Sequence, residues 1–83
     1  MPLVGIANRE LNWILESEHY KNLAETTIYS HSLMKVMIDV LVDRVLEETP
    51  GTPLKRKIVD LIAIFRVRVD SGGYITKSIY NGI

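Results

Sequence analysis

The sequence predicts a small all-α domain of three helices, and three observations support this prediction. The chain has 83 residues, 47% of them hydrophobic and none of them cysteine, which suits one packed domain without disulfide or thiolate-metal crosslinks. Apolar residues recur at helical spacing in three segments. Pro and Gly interrupt these segments at 49–53 and 71–73. We therefore treat residues 1–83 as one domain with helices near 7–20, 26–48 and 53–70, followed by a β-prone tail at 74–83.

The first segment has one apolar side. Its members, at helical spacing, are Ala7, Leu11, Ile14 and Leu15. Asn8 is of the residue class that caps helix N-termini, so the predicted helix begins near it and runs to about residue 20.

The second segment is too apolar for an ordinary surface helix. Its polar residues recur at steps of about four and form one narrow stripe, so two of its faces require burial. One face fits inside the domain, and we expect the other to be covered by another copy of the chain, as a homodimer or higher oligomer. The predicted oligomer interface consists of Leu33, Met34, Met37, Ile38, Leu41 and Val45.

The third segment begins with a typical helix start, in which Thr52 is the N-cap and Pro53 the first helical residue. Its apolar residues then line one face as far as about Asp70, and they are Leu54, Ile58, Leu61, Ile62, Phe65 and Val69. The alternative is an α+β fold with a C-terminal β-hairpin across 64–79, because residues 65–69 alternate strictly between apolar and basic and residues 70–73 could form a turn. The last residues could instead form an arm onto another subunit.

Charge and hydropathy limit the classes of partner. Ten basic and ten acidic residues cancel, so no overall field draws the chain to nucleic acid or anionic lipid. No stretch is apolar for long enough to span a membrane. The first residues lack a basic start and a long apolar run, so we expect no secretory signal and a cytoplasmic protein.

Polar constellations in the sequence do not assemble a catalytic set. Glu16 and His19 have the spacing of a Glu-x-x-His metal element, but only one copy is present. Asp39 and Asp43 could form a carboxylate ladder, and we interpret them as the solvent edge of their helix. His31 lies between two serines without a nucleophile elbow. We predict no enzyme activity, no metal site and no cofactor.

Aromatic residues on the first predicted helix indicate a contact surface. Trp13 and Tyr20 lie two turns apart, opposite the apolar side. Trp and Tyr often dominate interface energetics because they bury large areas and retain a polar atom. Together with Arg9 and Glu16 they form the predicted partner-binding surface of a non-enzymatic adaptor or inhibitor.

Two other functions remain open from the sequence. A small-ligand or nucleotide pocket between subunits could use five tyrosine and basic residues, since Tyr stacks on bases and Arg holds phosphate. These are Arg66, Arg68, Tyr74, Lys77 and Tyr80.

The segment 23–34 resembles the helix-turn-helix pattern of small repressors at Ala24, Ser30 and Met34, which would imply a DNA-binding regulator. Ile28 stands at the position of the turn Gly and departs from the pattern.

Overall fold

A computed structural model describes residues 2–71 and contains four helices in that range. They are α1 (Leu3–Glu16), α2 (Tyr20–Thr26), α3 (His31–Glu47) and α4 (Pro53–Asp70). No strand occurs in the described part of the chain, so the all-α prediction is confirmed there. α3 packs between α1 and α4, whereas α2 packs mainly on α4.

The predicted bounds of the first helix, residues 7 and 20, are both wrong. α1 begins at Leu3, with Pro2 at the N-cap, so Asn8 lies inside the helix and its Nδ2 donates to the carbonyl oxygen of Val4 at 3.0 Å. α1 ends at Glu16 because the backbone turns extended at Ser17, whose Oγ accepts from the backbone N–H of His19 at 3.0 Å. This local bond competes with continued helix and redirects the chain into a separate helix, α2.

The predicted second helix is also shorter than expected. Residues 26–30 are not its first turn, because α2 ends at Thr26 and α3 begins at His31. Ser30 caps α3, since its Oγ accepts from the backbone N–H of Leu33 at 3.0 Å. This side-chain bond fixes the start of α3.

The third predicted helix is confirmed as α4. Thr52 Oγ1 accepts from the backbone N–H of Lys55 at 3.2 Å, and Pro53 is the first helical residue. Gly51 has φ +84°, which only Gly adopts without strain, and this lets the chain turn into α4. Residues 65–69 are helical, so the β-hairpin alternative is wrong for its first strand, whereas its second strand and the tail 74–83 lie outside the described residues.

One core fills the space between the helices. Its fully buried large side chains come from α1, α3 and α4, and the Tyr29 ring packs at 55° on Phe65 with 6.2 Å between centroids. Among the described residues no polar or charged residue is buried. The core comprises Ala7, Leu11, Ile14, Ala24, Leu33, Met34, Met37, Ile38, Leu41, Ile58, Leu61 and Phe65.

The core includes most of the predicted oligomer interface. Leu33, Met34, Met37, Ile38 and Leu41 are buried inside the single chain, and Val45 packs partly buried against them. The physical reason is that α1 and α4 cover two sides of α3, so its second apolar face is also buried within the domain. These side chains offer no free surface to a second copy while the domain keeps this fold.

Candidate interaction surfaces

The outward side of α1 carries a Trp between two charges. Arg9, Trp13 and Glu16 are all exposed and follow one another at steps of four and three, which places them on one face. Trp13 is 49% exposed although it is the largest apolar side chain in the sequence. We name these three residues the Trp13 face.

Contacts from three other parts of the domain fix the position of α1. Arg44 Nη2 of α3 donates to Asn8 Oδ1 at 2.8 Å, and the Tyr29 hydroxyl donates to Glu10 Oε1 at 2.9 Å. Lys57 Nζ of α4 donates to the carbonyl oxygen of Leu15 at 3.2 Å. The Trp13 face is therefore held on a rigid element, which lowers the entropic cost of binding.

Tyr20 does not share this face, in contrast to the sequence prediction. It opens α2, and its hydroxyl donates to Asp60 Oδ2 of α4 at 2.7 Å. Lys57 Nζ lies 5.3 Å from the centroid of the Tyr20 ring, a cation–π contact. The hydrogen bond to the Asp60 carboxylate raises the pKa of Tyr20 above its ordinary value, with a smaller contribution from burial. Tyr20 thus joins α2 to α4 inside the chain.

The basic cluster at the start of α4 is divided between intramolecular contacts and solvent. Lys57 reaches the C-terminal end of α1, as described, and Lys55 Nζ donates to the carbonyl oxygen of Glu48, the C-cap of α3, at 3.4 Å. The side chain of Arg56 is exposed and has no hydrogen-bond or ion-pair partner among residues 2–71. The cluster is therefore not one continuous anion-binding patch.

The structure describes two of the five residues of the predicted ligand pocket. Arg68 Nη1 donates to the carbonyl oxygen of Ala24 at 2.7 Å, so its guanidinium is engaged at the end of α2, whereas Arg66 is exposed. The structure does not bring these two side chains together at one site. The other three members lie outside the described residues; they are Tyr74, Lys77 and Tyr80.

The spacing of α2 and α3 along the chain agrees with the helix-turn-helix resemblance, but the packing of these two helices does not. A four-residue connection joins α2 to α3, and Ile28 in it is 93% exposed. In a helix-turn-helix unit the two helices cross closely, but here α2 packs on α4 and α1 and does not touch α3. The first half of α3, which would read DNA, carries core residues.

A second exposed apolar strip, which was not predicted from the sequence, lies on α4. Val59 is 50% and Val67 is 65% exposed, and Ala63 between them is also exposed. They are four residues apart and point away from the core. We name these three residues the α4 outer face. Their spacing is the sequence signal that could have revealed the face, but it was obscured by the stronger stripe on the buried side.

Carboxylates and histidines remain scattered in the structure. Asp39 and Asp43 are exposed on α3, and His19 lies near Glu18 at 3.8 Å in full solvent. Within residues 2–71 no three such side chains come close enough to hold a metal ion. No helix in that range is long and apolar enough to cross a bilayer.

Comparison with known proteins gives no family for this chain. No protein-family model, no curated protein and no solved structure matches it.

Proposed function

We propose that this protein is a non-enzymatic interaction module, an adaptor or inhibitor that binds another protein through the Trp13 face. The observation that carries this proposal is the half-exposed indole of Trp13 on a rigid helix. Burying the large apolar surface of an exposed Trp against a partner is favourable, at about 25 cal/mol for each Å² removed from water.

The flanking charges suit a protein partner. Arg9 lies one turn before Trp13 and Glu16 one turn after it, so the face presents both signs around an apolar centre. Protein interfaces have this arrangement, with an aromatic anchor inside a polar rim. A polyanion such as DNA would favour an excess of positive charge, which this face lacks.

The intrinsic fluorescence of Trp13 tests the proposal directly, because it is the only Trp in the chain. Proteins captured from cell extract on the 83-residue chain are identified and purified. Each is then titrated against the chain, and its own Trp signal is subtracted. A genuine partner will shift the emission to shorter wavelength as the indole leaves water.

Variants define the surface. Trp13→Ala should weaken the binding free energy for the captured partner by about 2 kcal/mol or more, the usual loss at a binding hot spot. Leu46→Ala, which removes a 78% exposed side chain from α3, is the matched control and should leave capture unchanged. Capture that is equally strong with Trp13→Ala would exclude the Trp13 face as the binding site.

A further inference from the structure

We propose that two copies of this chain associate through the α4 outer face, with their α4 helices antiparallel. This contact is separate from the Trp13 face and from the α3 residues that the sequence indicated. Val59, Ala63 and Val67 supply its apolar centre, and none of them has a role in the core.

The charges around this face are complementary to a second copy in antiparallel orientation. Val59 and Val67 lie four residues either side of Ala63, and Arg56 and Asp70 lie seven residues either side. If a twofold axis passes beside Ala63, Val59 lies level with Val67 of the second copy. Arg56 then lies level with Asp70 of the second copy, and symmetry repeats each contact. A parallel arrangement would instead place like charges level with each other.

The helix dipole disfavours the placement of these two charges in α4. Arg56 lies in the first turn, which has no acidic residue, and Asp70 is the last residue of the helix. The helix dipole favours the opposite signs at both ends. Asp70, like Arg56, has no ion-pair or hydrogen-bond partner for its side chain among residues 2–71. An antiparallel second copy brings an opposite charge to each end.

The size of the face sets the strength of the dimer. Ala63 at the centre lets two helix axes approach closely, within the usual 8–10 Å range. One helix face buries less than the roughly 800 Å² per partner of a standard stable interface. We therefore expect a dimer with a dissociation constant in the micromolar range or weaker, which forms as concentration rises.

A charge-swap experiment tests both the surface and the orientation. The full chain and the variants R56E, D70R and R56E/D70R are compared by sedimentation equilibrium from low micromolar to millimolar concentration. Each single swap turns two attractions into repulsions and should raise the dimer dissociation constant about tenfold. The double variant should return it to near the wild-type value. Each swap agrees with the helix dipole but creates a like-charge pair four residues apart in α4, with Asp60 in R56E and with Arg66 in D70R. Urea denaturation of each single variant therefore checks that α4 keeps its stability.

A substitution at the apolar centre provides a second test, which does not depend on the Arg56–Asp70 pair. Val67→Glu should abolish dimerisation by placing a carboxylate in the apolar centre, while Leu46→Glu, at an exposed position of α3, should not change it. Circular dichroism checks that both variants keep their helix content.

Several outcomes would overturn the proposal. These are a wild-type chain that stays monomeric at every concentration, a dimer that Val67→Glu leaves intact, and a double swap that fails to restore what the single swaps remove. Loss of the dimer in Trp13→Ala would place the contact on α1 instead. Because the Trp13 face and the α4 outer face are separate, either proposal can fail while the other holds.

Discussion

α3 and the outer side of α4 are both rich in apolar residues, but the domain treats them differently. In α3, Met37 and Leu41 are fully buried because α1 covers one side of the helix and α4 covers another. On α4, Val59 and Val67 are half exposed or more because no helix among the described residues covers their side. The comparison teaches that a central helix can be very apolar without needing a partner subunit, whereas a modest strip on a peripheral helix stays uncovered.

The largest expected effect comes from truncating a buried residue of α3 and comparing it with an exposed residue of α4. Leu41→Ala should lower the free energy of unfolding by about 2–5 kcal/mol, because it removes apolar burial and leaves a cavity. Val67→Ala should change it by less than about 0.5 kcal/mol when measured on the monomer at low concentration. Urea denaturation followed by circular dichroism checks both values. Equal losses in the two variants would show that α4 is covered in solution on the side we describe as open.

The starts of the same two helices offer a smaller test. Ser30 caps α3 and Thr52 caps α4, each through a hydroxyl bonded to a backbone N–H. Ser30→Ala and Thr52→Ala should each cost about 1 kcal/mol of unfolding free energy. Thr52→Ser keeps the hydroxyl and is the control that should retain most of the stability. A much smaller loss at Ser30 would mean that packing on both sides of α3 fixes its start without the cap.

Tyr29 links the two helices that flank α3, and its removal should have a smaller effect that depends on pH. It packs on Phe65 of α4 and donates to Glu10 of α1. Tyr29→Phe should cost about 0.5–1.5 kcal/mol at neutral pH, the usual net value of one hydrogen bond.

Burial first, and the bond to Glu10 second, raise the pKa of Tyr29 above its ordinary value of 10.0. A raised pKa in the folded state means that the stabilisation is fully present below about pH 10 and is lost as pH rises beyond it. The stability difference between wild type and Tyr29→Phe, measured by urea denaturation, should therefore shrink above pH 10. A difference that stays constant or grows there would contradict the raised pKa.

The residues that the sequence placed correctly are those with strong local signals. Thr52 and Pro53 identified the start of α4 because a capping hydroxyl followed by Pro acts within one turn. Ile58 and Phe65 were assigned to the buried side from their spacing alone, and both are buried. Leu54, assigned to the same side, is partly exposed because it lies in the first turn.

What the sequence missed depends on contacts between distant segments or on weak turn signals. The break after Glu16 has neither Gly nor Pro, and a side-chain bond from Ser17 produces it, so the first predicted helix continued to residue 20 and α2 was not predicted. That error placed Tyr20 on the Trp13 face, when its partner is Asp60, forty residues away. Periodicity also cannot show how many sides of a helix its neighbours cover. For this reason, residues of α3 that belong to the core were predicted to form an oligomer interface.

Three basic residues of α4 each bind a backbone carbonyl at or near the end of an earlier helix. Lys57 binds the end of α1, Arg68 the end of α2 and Lys55 the end of α3, although α1 and α2 carry no basic residue in their own last turns. Because α4 follows the other helices in the chain, a ribosome must synthesise residue 68 before all three contacts can form. Until then these helix ends lack their side-chain donors and their carbonyls face water, so the domain completes its folding only after α4 has been synthesised.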